Sequence, residues 1–125
     1  MATDAYSFPA QVTHLVDGDT VDVRVDLGFE IQTIERVRIR GIDTAEVYGV
    51  DHDSPEYERG KQHSAAAKAW VERAREQYDG DWPFTLHSEE YERGAYGRVI
   101  GRIEAKHSRV NLANYLAGEF DDLGE

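Results

Sequence analysis

The sequence predicts an α+β domain, a small closed β-barrel of five strands with helices packed against it. Three observations predict it. Valines and isoleucines alternate with polar residues in the first third of the chain, the period of a half-buried strand. Near residue 59 the apolar period lengthens to that of a helix. The resulting order, three strands, a helix, two strands and a helix, suits a barrel flanked by helices.

The first strand is placed at 8–16, and Asp17-Gly18 supplies the chemistry of a turn. Val21, Val23 and Val25 then alternate with Asp22, Arg24 and Asp26, giving a second strand, and Leu27-Gly28 suggests a second turn. In the third strand Val37 and Ile39 point inward, while Arg36, Arg38 and Arg40 share the other face. Residues 49–60 are polar and acidic and read as a loop. From about 59 to 78, Ala66, Ala67, Trp70, Val71, Ala74 and Tyr78 fall on one helical face, in a run rich in alanine. Gly80 is expected to end that helix. Short strands follow at 84–87 and 96–103. A last helix at 110–117 turns Leu112, Ala113, Leu116 and Ala117 inward, with Gly118 near its end.

The chain has 125 residues, the size of one domain, and is read as a single domain over 1–125. With 40 % hydrophobic residues it can bury a core unaided. It has no cysteine, which removes disulfides, thiolate metal sites and thiol nucleophiles. No run of about 20 apolar residues is available to cross a membrane. The first ten residues lack the basic and apolar regions of a signal peptide, so the expected location is cytoplasmic, or exported with its signal removed.

The net charge is −11, which opposes binding to a polyanion. The basic residues are mostly arginine, since lysine occurs only at Lys61, Lys68 and Lys106. Acidic residues cluster at Asp51–Asp53, Glu89–Glu92 and Glu119–Asp122. Few lysines with many carboxylates are expected of a protein working in concentrated salt, where charges are screened within about 3 Å at 1 M. A halophilic source is the expectation.

Three segments carry candidate chemistry. Asp17-Gly18-Asp19-Thr20 places carboxylates at a turn, within reach of a hard cation that prefers oxygen ligands, although Asp-Gly is also a common hairpin signal. In the segment from Arg38 to Glu46, a strand bearing an arginine runs into a loop bearing Asp43 and Glu46. A metal-assisted phosphodiesterase needs such parts: one carboxylate for the cation, one to take a proton from water, and a guanidinium to grip phosphate. A surface ion-pair patch would look similar. Tyr96-Gly97-Arg98 puts a further arginine at the start of a strand.

In this order and spacing, the segments resemble the staphylococcal nuclease (thermonuclease) family. The family's pattern is Asp-Gly-Asp-Thr, an arginine five residues before Asp-Thr-Pro-Glu, then Tyr-Gly-Arg. The matching residues are Asp17-Gly18-Asp19-Thr20, Arg38, Asp43-Thr44-Ala45-Glu46 and Tyr96-Gly97-Arg98. The likeness runs from about residue 12 to residue 118. It implies an OB-fold barrel and Ca²⁺-dependent cutting of DNA and/or RNA, single strands favoured, that leaves 3′-phosphate and 5′-hydroxyl ends. By the same resemblance Asp19, Asp43 and the Thr44 carbonyl would bind Ca²⁺, though Mg²⁺ or Mn²⁺ also accept oxygen ligands. Glu46 would orient or deprotonate the attacking water, and Arg38 and Arg98 would clamp phosphate.

The chain departs from the pattern at Ala45, which replaces the family's proline and loosens the loop that presents Glu46. The family's third helix is expected to be missing, since little chain follows the second one. A monomer is the default expectation.

The five histidines, His14, His52, His63, His87 and His107, have no metal-ligand spacing and read as surface or structural residues. Tyr48, Tyr91 and Tyr96 are candidate base-stacking platforms. A second reading is a non-catalytic OB-fold module that binds single-stranded nucleic acid or a protein partner. Retention of the whole set Asp19, Arg38, Asp43, Glu46 and Arg98 favours the enzyme.

Overall fold

The alternating valines form the spine of the barrel. In the computed structural model, which describes residues 6–42, 44, 51–92 and 98–120, they lie on strand β2, Thr20–Gly28. Val21, Val23 and Val25 are buried, and the residues between them are half-buried or exposed. β1, Ser7–Asp17, pairs with β2 through a two-residue turn at Gly18-Asp19. β3, Ile31–Ile39, pairs with β2 on its other side.

β3 begins six residues before Val37, the first apolar residue that marked it in the sequence. Its first half has no buried residue, so it carries no inward–outward alternation to read. The connection to β2 is a two-residue turn at Phe29-Glu30, both with positive φ (56° and 63°), between Gly28 and Ile31. That geometry normally calls for Asn-Gly, which explains why Leu27-Gly28 marked the turn only approximately.

Helix α1 runs over Pro55–Gln77, so it starts inside the segment read as a loop. The Ser54 hydroxyl caps it by accepting from the Tyr57 N–H at 3.2 Å, and Pro55 occupies the first turn. It ends with Tyr78 as the C-cap, two residues before Gly80. Ala67, Trp70, Val71 and Ala74 are buried as the helical period requires, each large apolar side chain contributing roughly 1.5–3 kcal/mol. Trp70 meets Phe84 at 5.4 Å and Tyr115 at 6.4 Å between ring centres, tying the helices to the barrel.

β4, Phe84–Glu92, is longer than the 84–87 read from the sequence. In its second half Glu89 and Glu90 are met by arginines from the following strand and from the end of β3. Arg40 reaches Glu89 and Glu90 at 2.7 and 3.2 Å, and Arg102 reaches Glu89 at 2.8 Å. β5, Arg98–Ala105, is displaced by two residues from 96–103. α2, Leu112–Glu119, is likewise two residues later than 110–117, because Asn111 is its N-cap and accepts from the Asn114 N–H at 2.8 Å. Leu112, Ala113 and Leu116 are buried as expected, whereas Ala117 is exposed.

The strands close in the order β1-β2-β3-β5-β4, with β3 and β5 parallel and the other pairs antiparallel. The result is an α+β fold, an OB-like five-stranded barrel with two packed helices. No helix among the described residues is long and apolar enough to cross a membrane.

Candidate active site

The β1–β2 turn and the end of β3 meet at one end of the barrel. Thr20, the first residue of β2, pairs with Arg38, the last but one of β3. The Ile39 N–H also donates to the Asp19 carbonyl at 2.8 Å. Gly41, with φ +97°, then turns the chain toward Ile42 and Thr44, a backbone conformation that suits glycine.

Asp19 is only 7 % exposed. A buried carboxylate is costly unless its oxygens are met, and both are. Oδ1 accepts from the Thr20 hydroxyl at 2.9 Å, and Oδ2 accepts from the Thr44 N–H at 3.0 Å. The Arg38 guanidinium supplies the opposite charge, with Nη2 3.7 Å from Asp19 Oδ2. Arg38 is itself held by its Nη1, which donates to the carbonyls of Ile39 at 2.6 Å and Ile42 at 2.8 Å.

The three arginines of this strand face have different fates. Arg36 is paired to Asp22 on the surface, in a forked contact at 2.9 and 3.2 Å. The hydrogen bond that Arg36 donates to Asp22, and then the charge of Asp22, raise the Arg36 pKa against the lowering effect of burial. Arg40 is taken by Glu89 and Glu90. Arg38 is the one folded onto Asp19.

Thr44 is 6 % exposed, and its hydroxyl has no hydrogen-bond partner among the described residues. It sits against the turn. A Cβ added at Gly18 would come 2.8 Å from Thr44 Cγ2 and 3.3 Å from His63 Cβ. Gly18 has no positive φ, so close approach is the reason for a glycine there. Behind the turn, His63 of α1 is 1 % exposed and packs edge-on against Phe120 at 4.6 Å. This is the structural one of the two roles its sequence context allowed, and His63 forms the rear wall of the site. The signal was its helical spacing, four before Ala67 and seven before Trp70.

Asp19, Arg38 and Thr44 are thus brought together. Asp43, Ala45 and Glu46 lie outside the described residues, as do Tyr48, Tyr96 and the side chain of Tyr91. Arg98 opens β5 two positions before Ile100, the parallel partner of Arg38, and its side chain too lies outside the described set. Among the described residues no three His, Asp or Glu side chains gather around a point fit for a metal. The donors at hand are the Asp19 carboxylate and the Thr44 backbone and hydroxyl. An all-oxygen set with an orphaned buried hydroxyl fits a hard cation such as Ca²⁺.

A second polar network crosses the outer face of β1, β4 and β5. Ser7 Oγ lies 2.9 Å from His87 Nδ1, His87 Nε2 lies 2.8 Å from Glu104, and Arg109 Nε donates to Glu104 at 2.7 Å. Burial pushes the Glu104 carboxyl up, but the hydrogen bonds and charges of His87 and Arg109 outweigh it and hold the pKa below the ordinary glutamate value.

Searches against protein-family profiles and against curated proteins find no match to this chain.

Proposed function

We propose that the protein is a Ca²⁺-dependent phosphodiesterase acting on DNA and/or RNA, single strands favoured, in concentrated salt. One observation carries this reading. A buried carboxylate, Asp19, an arginine, Arg38, and the Thr44 backbone come from separate segments to one end of the barrel. These are positions at which the sequence resembles the staphylococcal nuclease pattern. The reading is therefore joint, resting on motif order together with side-chain convergence.

In this reading Asp19, Asp43 and the Thr44 carbonyl hold the cation. When bound, Ca²⁺ supplies positive charge to the phosphoryl oxygens as they gain charge in the transition state. Glu46 accepts a proton from water, whose oxygen attacks phosphorus. The bond from phosphorus to the 5′ oxygen breaks, that oxygen takes a proton from solvent, and a 3′-phosphate and a 5′-hydroxyl remain. Arg38 and Arg98 grip the phosphate oxygens. Arg38 Nη1 donates to the carbonyls of Ile39 and Ile42. Those carbonyls fix the guanidinium before substrate arrives, which is how an electrostatic catalyst avoids reorganising during reaction.

The acidic surface restricts the footprint. With a net charge of −11 and salt screening, affinity cannot come from long basic tracks. The grip is local, one phosphate at the site with its neighbouring bases. The test is digestion of a labelled single strand in molar salt with Ca²⁺ or with chelator, followed by end-group analysis. Ca²⁺-dependent cuts bearing 3′-phosphates support the reading. Binding without cutting moves the protein to the non-catalytic OB module.

A further inference from the structure

A groove of about 560 Å³ runs between β1 and α1, on the flank of α1 away from Phe120. That volume is in the usual range for a bound ligand, about 300–1,000 Å³. Val12, Leu15 and Val71 make an apolar floor, and Lys61, Lys68 and Arg75 stand along α1.

The strand beside this groove is open on one edge. β1 pairs with β2 from Ala10 to Asp17, but with β4 only from Ser7 to Ala10. Beyond Ala10, among the described residues, no strand covers the second edge, and α1 lies across from it. The Val12 carbonyl on this edge is met by the guanidinium of Arg75. Apart from that carbonyl, an edge without a partner strand offers its backbone donors and acceptors to another chain.

The groove's charge is the reverse of the molecule's. The chain carries −11 and three lysines, and two of those lysines line this groove, with Arg75 beside them and Glu72 the one acid among its described lining residues. Lys61 and Lys68 are seven residues apart on one helix face, a rise of about 10 Å. On one face of an extended chain side chains recur every two residues, roughly 6.6 Å, so alternate carboxylates fall within reach of the flexible ends of both lysines. The Ser64 hydroxyl in the groove wall is buried and has no hydrogen-bond partner among the described residues.

We propose that this groove binds an extended acidic peptide segment of a partner protein, which adds as a strand to the free edge of β1. The segment's apolar side chains sit on Val12, Leu15 and Val71, and its carboxylates face Lys61 and Lys68. Backbone pairing supplies affinity and the alternate side chains supply selectivity. A nucleic acid suits the groove less well. Among the described residues no Phe, Tyr or Trp lines it for base stacking, and a strand edge matches a peptide backbone rather than phosphates.

The test uses the intact protein and fluorescent octapeptides of alternating valine and glutamate, titrated by anisotropy. Two further probes are N-methylated, one at the odd residues and one at the even residues. A valine–lysine octapeptide is the charge control. The acidic peptide is expected to bind saturably and to protect the amides of residues 12–16 from hydrogen exchange. One N-methylated probe should lose binding and the other keep it, because only one edge of the peptide faces β1. The exposed-site variant Lys61→Glu/Lys68→Glu should weaken binding at least about tenfold, and the lysine peptide should not bind. No binding of the acidic peptide overturns the proposal. So does equal binding of both N-methylated probes, or displacement of the peptide by a single-stranded oligonucleotide that itself needs Lys61 and Lys68. The proposal does not rest on the nuclease reading, since peptide binding should persist in Asp19→Asn whatever that variant does to phosphodiester cleavage.

Discussion

The backbone N–H of Thr44 donates to the carboxylate of Asp19 at 3.0 Å, joining residues 25 apart in the chain. This bond fixes the β1–β2 turn to the segment that leaves β3. Gly18 makes it sterically attainable, because any side chain there would meet Thr44 Cγ2 at 2.8 Å.

Gly18→Ala should therefore part the turn from Thr44. Overpacking of this kind costs about 1–3 kcal/mol. Thr44→Ser removes the clashing methyl and keeps the hydroxyl, so the double variant should recover much of the lost stability. Thermal melts of the two single variants and the double variant decide it. Strict additivity would show that the two side chains do not meet.

Arg38→Lys keeps the charge but loses the planar fork and the double hold on the Ile39 and Ile42 carbonyls. Under the proposed function the rate should fall by about 10²–10³-fold, as for loss of one transition-state donor. Arg36→Lys, in a surface pair with Asp22, should leave the rate nearly unchanged. Parallel kinetics on one oligonucleotide make the comparison. Equal losses would remove Arg38 from its special place.

Much of the fold was legible in the sequence because burial imposes a period. The valines of β2, the face of α1 around Trp70 and the inward residues Leu112, Ala113 and Leu116 were read correctly for that reason. The early half of β3 was not, since none of residues 31–36 is buried, and β4 beyond His87 was not, since Glu89 and Glu90 in succession are exposed and leave no period to detect. The start of α1 was readable at Ser54-Pro55-Glu56 but was hidden within an acidic stretch. At the site, Asp19 and Arg38 were chosen by motif, and their meeting with Thr44 is a tertiary fact. His63, read as a surface or structural residue, is structural, and only the tertiary packing of α1 places it behind the turn.

Ala45→Pro restores the one residue at which the loop departs from the nuclease pattern. A fixed φ before Glu46 reduces the conformations from which the carboxylate must be drawn. The variant should turn over faster than the parent with little change in KM. A slower variant would mean that the loop has adapted to alanine.

The pH dependence follows from Glu104. A carboxyl whose pKa is lower in the folded state than in the unfolded state stabilises the fold above the unfolded value, about 4.3. That contribution fades as pH falls through the folded pKa. The acid limb of the stability curve should therefore be shallower in Glu104→Gln than in the parent, with the difference closing at the lowest pH. Denaturant melts across the carboxylate range would show it. An unchanged acid limb would mean that the His87 and Arg109 contacts do not shift this group in solution.

The most direct test of the central claim is the hydrolysis of single-stranded DNA in molar salt by the parent protein and by Glu46→Gln, each with Ca²⁺ and with chelator. The parent should cut only with Ca²⁺, and the variant should lose about 10²-fold or more with its fold intact. Cutting that ignores both the chelator and the substitution would contradict it.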